Sequence, residues 1–440
     1  MGIVARQSAH SVVTNVLNKF VIGVLIDVII SRVLGAGGKG EYALFVTTMT
    51  GLTALFSFGI PFANIVVGAQ HKVPHFKLIQ LSVYAALIAT AVSAIIFFIG
   101  RRAGWITFIL PKILSDEYLF LVLLALPFVF LNTFLLGLLI GRGDIVFHNY
   151  VLLGSQTGGL FAVVLGAATG HLSSSSAIAA YLLTFVLSLA ATVWKLQDDI
   201  RKTFHAVPQF DEIKSVVKIS FFVYLGTVMQ FFNYRLDTYF VEFYLGSASL
   251  GIYVTAVRIA ETIWILSASM SNAIVVSAAA GSSKARDAAF KLAILALLIG
   301  TVAAVGLIAL GNLIIVALFS EKFALATEPL MWLLPGAVIL GIANVLGPYL
   351  ASIGRPEVNL YNACAATLTT VVLDIVLIPK FGINGAAIAS SVAYILFAAL
   401  TLLSFSTITK FNLKGTWSLM IELQSDILLS IVKTRQRFGI

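Results

Sequence analysis

Residues 233–263 read NYRLDTYFVEFYLGSASLGIYVTAVRIAETI. Two apolar arms flank a short Gly/Ser turn, as in a transmembrane hairpin, yet both arms carry charged side chains. Ionisable groups inside a bilayer are costly and usually face a protein interior or a watery cavity. Because Arg235 and Arg258 lie about equally far from the turn, they should lie at similar depth. Asp237 and Arg258 are then plausible ion-pair partners.

The turn of this hairpin has a counterpart near the N-terminus. LGSASLGIY, from Leu245, matches LGAGGKGEY, from Leu34, at Leu, Gly, Gly and Tyr with a constant offset of 211 residues. Ile-Gly-Arg ending at Arg142, with Asn149 seven residues later, recurs as Ile-Gly-Arg ending at Arg355, with Asn362 seven residues later. Each arginine is expected to anchor a cytoplasmic helix end. The chain therefore consists of two similar halves.

The paired glycines of the repeat have a structural interpretation. Gly35 and Gly40 in the first half correspond to Gly246 and Gly251 in the second. Glycine permits tight turns and close approach of helix backbones. We expect these two roles for the four glycines, in preference to contact with a ligand.

Composition indicates a polytopic membrane protein. Of the 440 residues, 60% are hydrophobic and 11% are charged, whereas about a quarter are charged in soluble proteins. Twelve apolar runs reach the roughly 20 residues that a membrane-spanning helix needs. They lie at about 11–33, 42–69, 77–100, 117–140, 147–169, 176–195, 216–244, 250–279, 288–319, 326–351, 358–379 and 384–408. We predict an all-α fold of twelve transmembrane helices in two six-helix lobes, related by an internal parallel repeat.

The predicted domains follow the polar segments. The lobes are residues 1–196 and 216–408, and a cytoplasmic linker at 197–215 joins them. A cytoplasmic tail, 409–440, contains an amphipathic stretch expected to lie on the membrane surface.

The distribution of positive charge predicts the topology. Lysine and arginine concentrate in the linker, at the termini and in the loops on the same side, while the other side has fewer, among them Arg32 and Lys39. The positive-inside rule then places both termini in the cytoplasm. Since topology accounts for the charges, the net charge of +9 gives little support to nucleic-acid binding.

Several motifs resemble one known family. Arg235-x-Asp237 followed by LGxxxxGxY, SIGRPEVNLYN at 352–362 and LDIVLIPKFGINGAAIAS at 373–390 look like the O-antigen-type lipid-linked oligosaccharide flippases of bacterial polysaccharide export. That family belongs to the multidrug/oligosaccharidyl-lipid/polysaccharide exporter superfamily. The resemblance runs over nearly the whole chain, to about residue 408.

The resemblance implies a function and a location. The protein would be a multi-pass flippase of the cell (inner) membrane, without enzymatic activity or cofactor. It would move a polyprenyl-pyrophosphate-linked oligosaccharide across the bilayer by alternating access. A polysaccharide polymerase and a chain-length regulator are candidate partners.

The family commonly has an electropositive central cavity, which Lys19, Arg235 and Arg258 could line as substrate-binding residues. A guanidinium can hold a pyrophosphate through two hydrogen bonds and stays charged when desolvated, so Arg235 is the leading candidate. The alternative is an ion pair of Arg235 with Asp237 or Glu261. For Arg258, the spacing favours a pair with Glu261 three residues later. Lys19 could capture the pyrophosphate or extend to the lipid headgroups.

Four acidic residues are candidates for coupling or for ion pairs: Asp27, Asp237, Glu261 and Asp374. Arg235 and Asp237 are about 200° apart around a helix, so both cannot face one narrow cavity. Asp27 could bind a proton or cation, or be a polar group near its helix end. Asp374 stands where the family often has asparagine.

The charges of the second half are not repeated in the first. The residues 211 positions before Arg235, Asp237, Arg258 and Glu261 are all uncharged. We therefore expect a symmetric fold with an asymmetric cavity, in which the C-terminal lobe carries more of the anion recognition.

Two other classes of function are alternatives. A cation-coupled multidrug antiporter of the same superfamily could use Asp27 and Asp374 as cation sites. A membrane polysaccharide polymerase would be expected to carry catalytic groups on large outer loops, but the outer loops here are short. The sequence has no P-loop and no HExxH zinc motif, so we expect neither ATP nor a metal cofactor.

Overall fold

The computed structural model describes residues 21–69, 73–104, 116–203, 210–264, 267 and 285–411. Within these ranges the chain forms only helices, with short 3₁₀ helices at Glu261–Ile263 and Glu321–Ala326. The α-helices are α1 (Gly23–Phe56), α2 (Ile60–Ala69), α3 (His75–Ala103), α4 (Asp116–Gly141), α5 (Ile145–Ala168), α6 (Ser174–Thr203), α7 (Phe210–Ala260), α8 (Ala285–Phe319), α9 (Thr327–Ser352), α10 (Pro356–Phe381) and α11 (Ile383–Thr409).

The predicted all-α polytopic class is confirmed. Over the described ranges, nine helices are long and apolar enough to cross a membrane, or ten if the bent pair α1 and α2 forms one span. The twelve predicted runs are helical wherever they are described, apart from a break at 57–59 and the last residue of the run at 147–169. The helix count is lower than twelve partly because α1 and α7 each join parts of two predicted spans across a kink.

Both kinks occur at the repeated glycine. Gly35 has φ 67° and ψ −169°, and Gly246 has φ 78° and ψ 174°. These positions differ by the predicted offset and share one backbone conformation, which a residue with a Cβ rarely adopts. The prediction of two equivalent tight turns is confirmed.

The two kinked segments pack against each other. A Cβ built on Gly40 would lie 1.8 Å from the Ser247 carbonyl oxygen, and one on Gly251 would lie 1.9 Å from that of Ala36. Since Ser247 and Gly251 are the repeat counterparts of Ala36 and Gly40, the same glycine-to-carbonyl contact is made twice. The predicted close approach is confirmed. We call this end of the bundle, formed by 35–40 and 246–251, the turn end.

Helices α1 and α2 meet at a bend of 56°. Phe58 and Gly59 make this bend with φ of 48° and 70°, and Pro61 fits the first turn of α2, where no backbone N–H donor is needed. Two glycines of α4, Gly137 and Gly141, lie against the α2 backbone, so that a Cβ on either would come within 2.4 Å of a carbonyl oxygen. Helix α2 is thus packed closely on its own lobe, whereas α1 packs extensively on α7 of the other lobe.

Helices α6 and α7 extend into the predicted linker segment. Helix α6 continues to Thr203 and α7 begins at Phe210, so the predicted linker at 197–215 is helical at both its ends. The backbone hydrogen bonds of a helix can continue beyond its apolar residues. Arg201 and Lys202 in the last turn of α6 also stabilise the helix through the negative end of its dipole. Lys19 and residues 412–440, which include most of the predicted tail, lie outside the described residues.

Candidate functional site

The first charged pair of the site lies across the kink in α7. Arg235 Nη2 is 2.8 Å from Glu261 Oε1, and the two side chains are 34% and 16% exposed. The non-helical backbone at Gly246 separates two helical arms, and this ion pair joins one arm to the end of the other. Of the two partners predicted for Arg235, the structure selects Glu261. The guanidinium remains partly accessible, which an anion-binding role requires.

The second charged pair joins the two lobes. Arg258 Nε is 3.0 Å from Asp27 Oδ2, with the side chains 35% and 21% exposed. The predicted ion pairs of Arg258 with Glu261 and with Asp237 are wrong. The backbone changes from α to 3₁₀ at Glu261, which alters the side-chain directions assumed for ideal helical spacing, and Glu261 instead contacts Arg235.

Asp237 is held by hydrogen bonds inside the C-terminal lobe. It is 3% exposed, and its carboxylate accepts hydrogen bonds from the Thr238 backbone N–H at 2.7 Å and the Ser390 hydroxyl at 2.9 Å. The Tyr253 hydroxyl also donates to Asp237. Asp237 is therefore buried while Arg235 is partly exposed, in agreement with their predicted separation around the helix.

Asp374, on α10, is fully buried. Neither of its carboxylate oxygens has a hydrogen-bond partner within the described part of the chain. An unpaired polar group in an apolar interior is costly, and a charged one more so. Retaining a carboxyl group here is therefore expensive for stability, which is compatible with a role in binding or coupling.

Substitution of Asp374 and of Asp237 by asparagine should change stability in opposite directions. Asp374→Asn removes a buried carboxyl group that has no hydrogen-bond partner among the described residues, so the thermal midpoint of unfolding should rise. Asp237→Asn replaces an acceptor of four hydrogen bonds, so unfolding should become easier by about 1–3 kcal/mol. Thermal unfolding of the two purified variants in detergent tests this difference. A fall in both midpoints would show that Asp374 has a stabilising partner.

Tyr253 and Ser390 are two site residues that the sequence did not assign. Both are buried or nearly so, and their hydroxyls lie 3.3 Å apart around the Asp237 carboxylate. A signal was present, because Tyr253 is the tyrosine of LGxxxxGxY and Ser390 ends the motif at 373–390. What the motifs do not give is the packing of α11 against α7.

The partly exposed guanidinium groups of the site could bind an anion. The accessible charges of the site are two ion pairs, one within the C-terminal lobe and one between lobes. Within the described ranges, His, Cys, Asp and Glu form no group of three that could hold a metal ion. The arrangement can exchange a carboxylate partner of either arginine for an oxyanion of a ligand.

Comparison with known proteins identifies the class of fold. The model of the MatE family matches residues 223–376, which include Arg235, Arg258 and Asp374. A solved multidrug resistance MATE family transporter of the MOP superfamily, in an inward-facing conformation, superposes with a TM-score of 0.73 at 15% identity, covering 92% of this chain and 99% of that one. The twelve-helix, two-lobed fold of these transporters is thus the fold of this chain.

Two flippases are among the similar proteins. The lipid II flippase MurJ, in an inward closed conformation, gives a TM-score of 0.72 at 16% identity over 96% of this chain and 92% of that one. In sequence, the chain is 22% identical over 285 residues to the probable low-salt glycan biosynthesis flippase Agl15 of Haloferax volcanii. That match covers 62% of this chain and 58% of the flippase, which is less than two-thirds of the relative.

Proposed function

We propose that this chain is a flippase of the MOP superfamily that translocates polyprenyl-pyrophosphate-linked oligosaccharide repeat units across the cell membrane, for cell-surface polysaccharide biosynthesis. The observation that carries the proposal is the pair of partly exposed arginines, Arg235 and Arg258, each bound to a carboxylate. The similarity to a glycan flippase and the fold shared with a lipid II flippase support it. We place both termini in the cytoplasm on the charge distribution.

The ion pairs suggest how substrate binding is linked to lobe movement. A pyrophosphate competes well with a carboxylate for a guanidinium, because it presents more oxyanions for charge-assisted hydrogen bonds. Binding at Arg258 would release Asp27 and so remove a link between the lobes. A ligand shifts a conformational equilibrium by its difference in affinity for the two states, and here the lost Asp27–Arg258 contact supplies such a difference.

A cation-coupled multidrug antiporter is the second candidate, and a specific observation favours it. Three buried carboxyl groups, Asp237, Glu242 and Asp374, lie in the C-terminal lobe, and buried acidic groups in a membrane protein suit proton or cation coupling. In the flippase proposal the same carboxyl groups would couple transport of the glycan to an ion. The distinction therefore depends on the transported molecule.

The test follows the lipid-linked glycans in the host. The gene is deleted, and polyprenyl-linked glycans are measured on each leaflet of the membrane, with the wild-type gene restored in a parallel strain. If the protein is a flippase, a complete repeat unit should accumulate on the cytoplasmic leaflet of the deletion strain and should disappear when the wild-type gene is restored. Normal repeat units on the outer leaflet that fail only to polymerise would indicate a polymerase instead. An unchanged glycan pattern would favour the antiporter.

A further inference from the structure

Arg32 crosses from the N-terminal lobe to the end of α8 in the C-terminal lobe. Its Nε donates to the Leu318 carbonyl oxygen at 2.8 Å, and its Nη2 donates to the Ala317 carbonyl oxygen. These are among the last four carbonyls of a helix that ends at Phe319, which have no partner inside the helix and carry its negative dipole end. Arg32 therefore caps α8 from the opposite lobe and stabilises closure at the turn end.

Lys39 enters the same contact in a different way. It is 3% exposed, and its Nζ lies 4.5 Å from the Phe319 ring centroid and 5.8 Å from that of Phe323. Among the described residues its ammonium group has no hydrogen-bond partner. A cation over aromatic rings recovers part of the lost hydration, but the cost of burying an ammonium without hydrogen bonds is larger.

The other charges near Lys39 do not offset this cost. The groups whose fields act on it are Asp27 and Arg258, which carry opposite charges and are bound to each other at 3.0 Å. Arg258 offsets part of the attraction between Asp27 and Lys39, and the cost of burial exceeds the effect of either charge. Separation of the lobes would return the ammonium to water and recover its hydration.

We propose that Arg32 and Lys39 set the closure of the turn end with opposite signs: Arg32 holds the lobes together through the α8 C-terminus, and Lys39 opposes closure through its buried charge. The inference rests on the proposed function, in which the lobes separate at this end once in each cycle. The two residues act as positioning residues. Neither of them needs to touch the transported molecule.

The experiment measures how often the turn end opens. Cys364, the single cysteine of the chain, is replaced by serine, and Ser247→Cys introduces a reporter at a position that is 3% exposed in the lobe contact. The full chain is reconstituted in phosphatidylethanolamine/phosphatidylglycerol nanodiscs. The rate of reaction with a membrane-impermeant maleimide then reports opening of this end.

Arg32→Gln should raise the labelling rate roughly tenfold, the effect of losing charge-assisted hydrogen bonds. Lys39→Met keeps the contact with the rings but removes the charge, so it should lower the rate roughly threefold or more. The matched control is Arg102→Gln, which removes a cation that lies 5.7 Å from the Phe98 ring of its own helix. This control should leave the labelling rate unchanged.

Opposite effects of the two variants would support the inference. Changes in the same direction, or no change in either variant, would overturn it. Thermal unfolding of both variants checks that each is folded. If Arg32→Gln does not fold, Arg32→Lys serves as a conservative second variant. Because labelling needs no substrate, an opposite-sign result together with unchanged glycans would reject the flippase proposal and keep the closure mechanism.

Discussion

Gly40→Ala should reduce transport at least about tenfold while each lobe remains folded. A Cβ on Gly40 would lie 1.8 Å from the Ser247 carbonyl oxygen, a distance that packed atoms cannot adopt, and the obstructing atom is backbone and not a flexible side chain. The lobes would have to separate at the turn end, where both copies of the glycine contact must close together. An overpacked contact of this kind typically costs 1–3 kcal/mol or more, which corresponds to about a tenfold or larger change in population.

The chain provides a matched control for this substitution. Gly37 lies in the same turn, and a Cβ there would have no heavy atom within 4 Å. Gly37→Ala should therefore transport like the wild type. The measurement is clearance of the accumulated repeat unit in the deletion strain, at equal amounts of protein in the membrane. Equal transport by the two variants would mean that the close approach is not needed in the cycle.

The symmetry of the contact extends the prediction to the second lobe. Gly251→Ala should cause the same loss, since its Cβ would lie 1.9 Å from the Ala36 carbonyl oxygen. Gly226→Ala on the same helix meets open space and is its control. Loss of transport in only one of the two variants, Gly40→Ala or Gly251→Ala, would show that the two repeat contacts are not equivalent in the transport cycle.

Neutralising Arg258 should abolish most transport, and neutralising its partner as well should not restore it. Arg258→Gln removes a candidate ligand for pyrophosphate, and the loss of a charge-assisted hydrogen bond of about 1.5–3 kcal/mol corresponds to roughly a 10- to 100-fold effect. It also removes the ion-pair partner of Asp27, so a transport defect in the single variant has two possible causes. The double variant Asp27→Asn/Arg258→Gln removes both charges of the ion pair, so Asp27 is not left with an uncompensated charge.

The double variant separates a structural role from a binding role. If Arg258 binds the substrate, the double variant should remain as defective as Arg258→Gln in the leaflet assay. Recovery to wild-type transport would mean that Arg258 serves only to neutralise Asp27. The same logic applies to Arg235→Gln with Glu261→Gln, since that pair lies 2.8 Å apart.

An arginine outside the site provides the control for these variants. Arg142 also pairs with carboxylates, at Asp144 and Asp199, but does so inside the N-terminal lobe. Arg142→Gln should affect stability more than transport. A large transport defect in this variant, with normal protein levels, would show that the assay responds to any lost ion pair.

The fold was largely predictable from the sequence because its signals are local. Apolar runs of sufficient length specify helices in a membrane, and the repeated glycines mark the turns. The kinks at Gly35 and Gly246 share the predicted offset. The extension of α6 to Thr203 was missed, since hydropathy reports where a span leaves the bilayer and not where its helix ends.

The partners within the site were less predictable because they depend on packing between distant segments. Helical spacing suggested an ion pair between Arg258 and Glu261. Because the backbone changes to a 3₁₀ turn at Glu261 and α1 packs on α7, Arg258 forms its ion pair with Asp27 instead. Lys39 was counted among the loop charges of one membrane side. Its burial under Phe319 and Phe323 depends on residues about 280 positions away, for which the sequence offers no local signal.

The doubled contact at the turn end bears on how such a chain could originate. Each half presents a glycine and a carbonyl oxygen that fit the carbonyl oxygen and glycine of the other half, which is the self-complementary arrangement of a symmetric homodimer. A six-helix ancestor would already contain both sides of this joint and could pair with a second copy of itself in the membrane. Fusion of two gene copies would preserve the joint. It would also leave each half free to diverge, so that charges such as Arg235 and Glu261 could arise in one half alone.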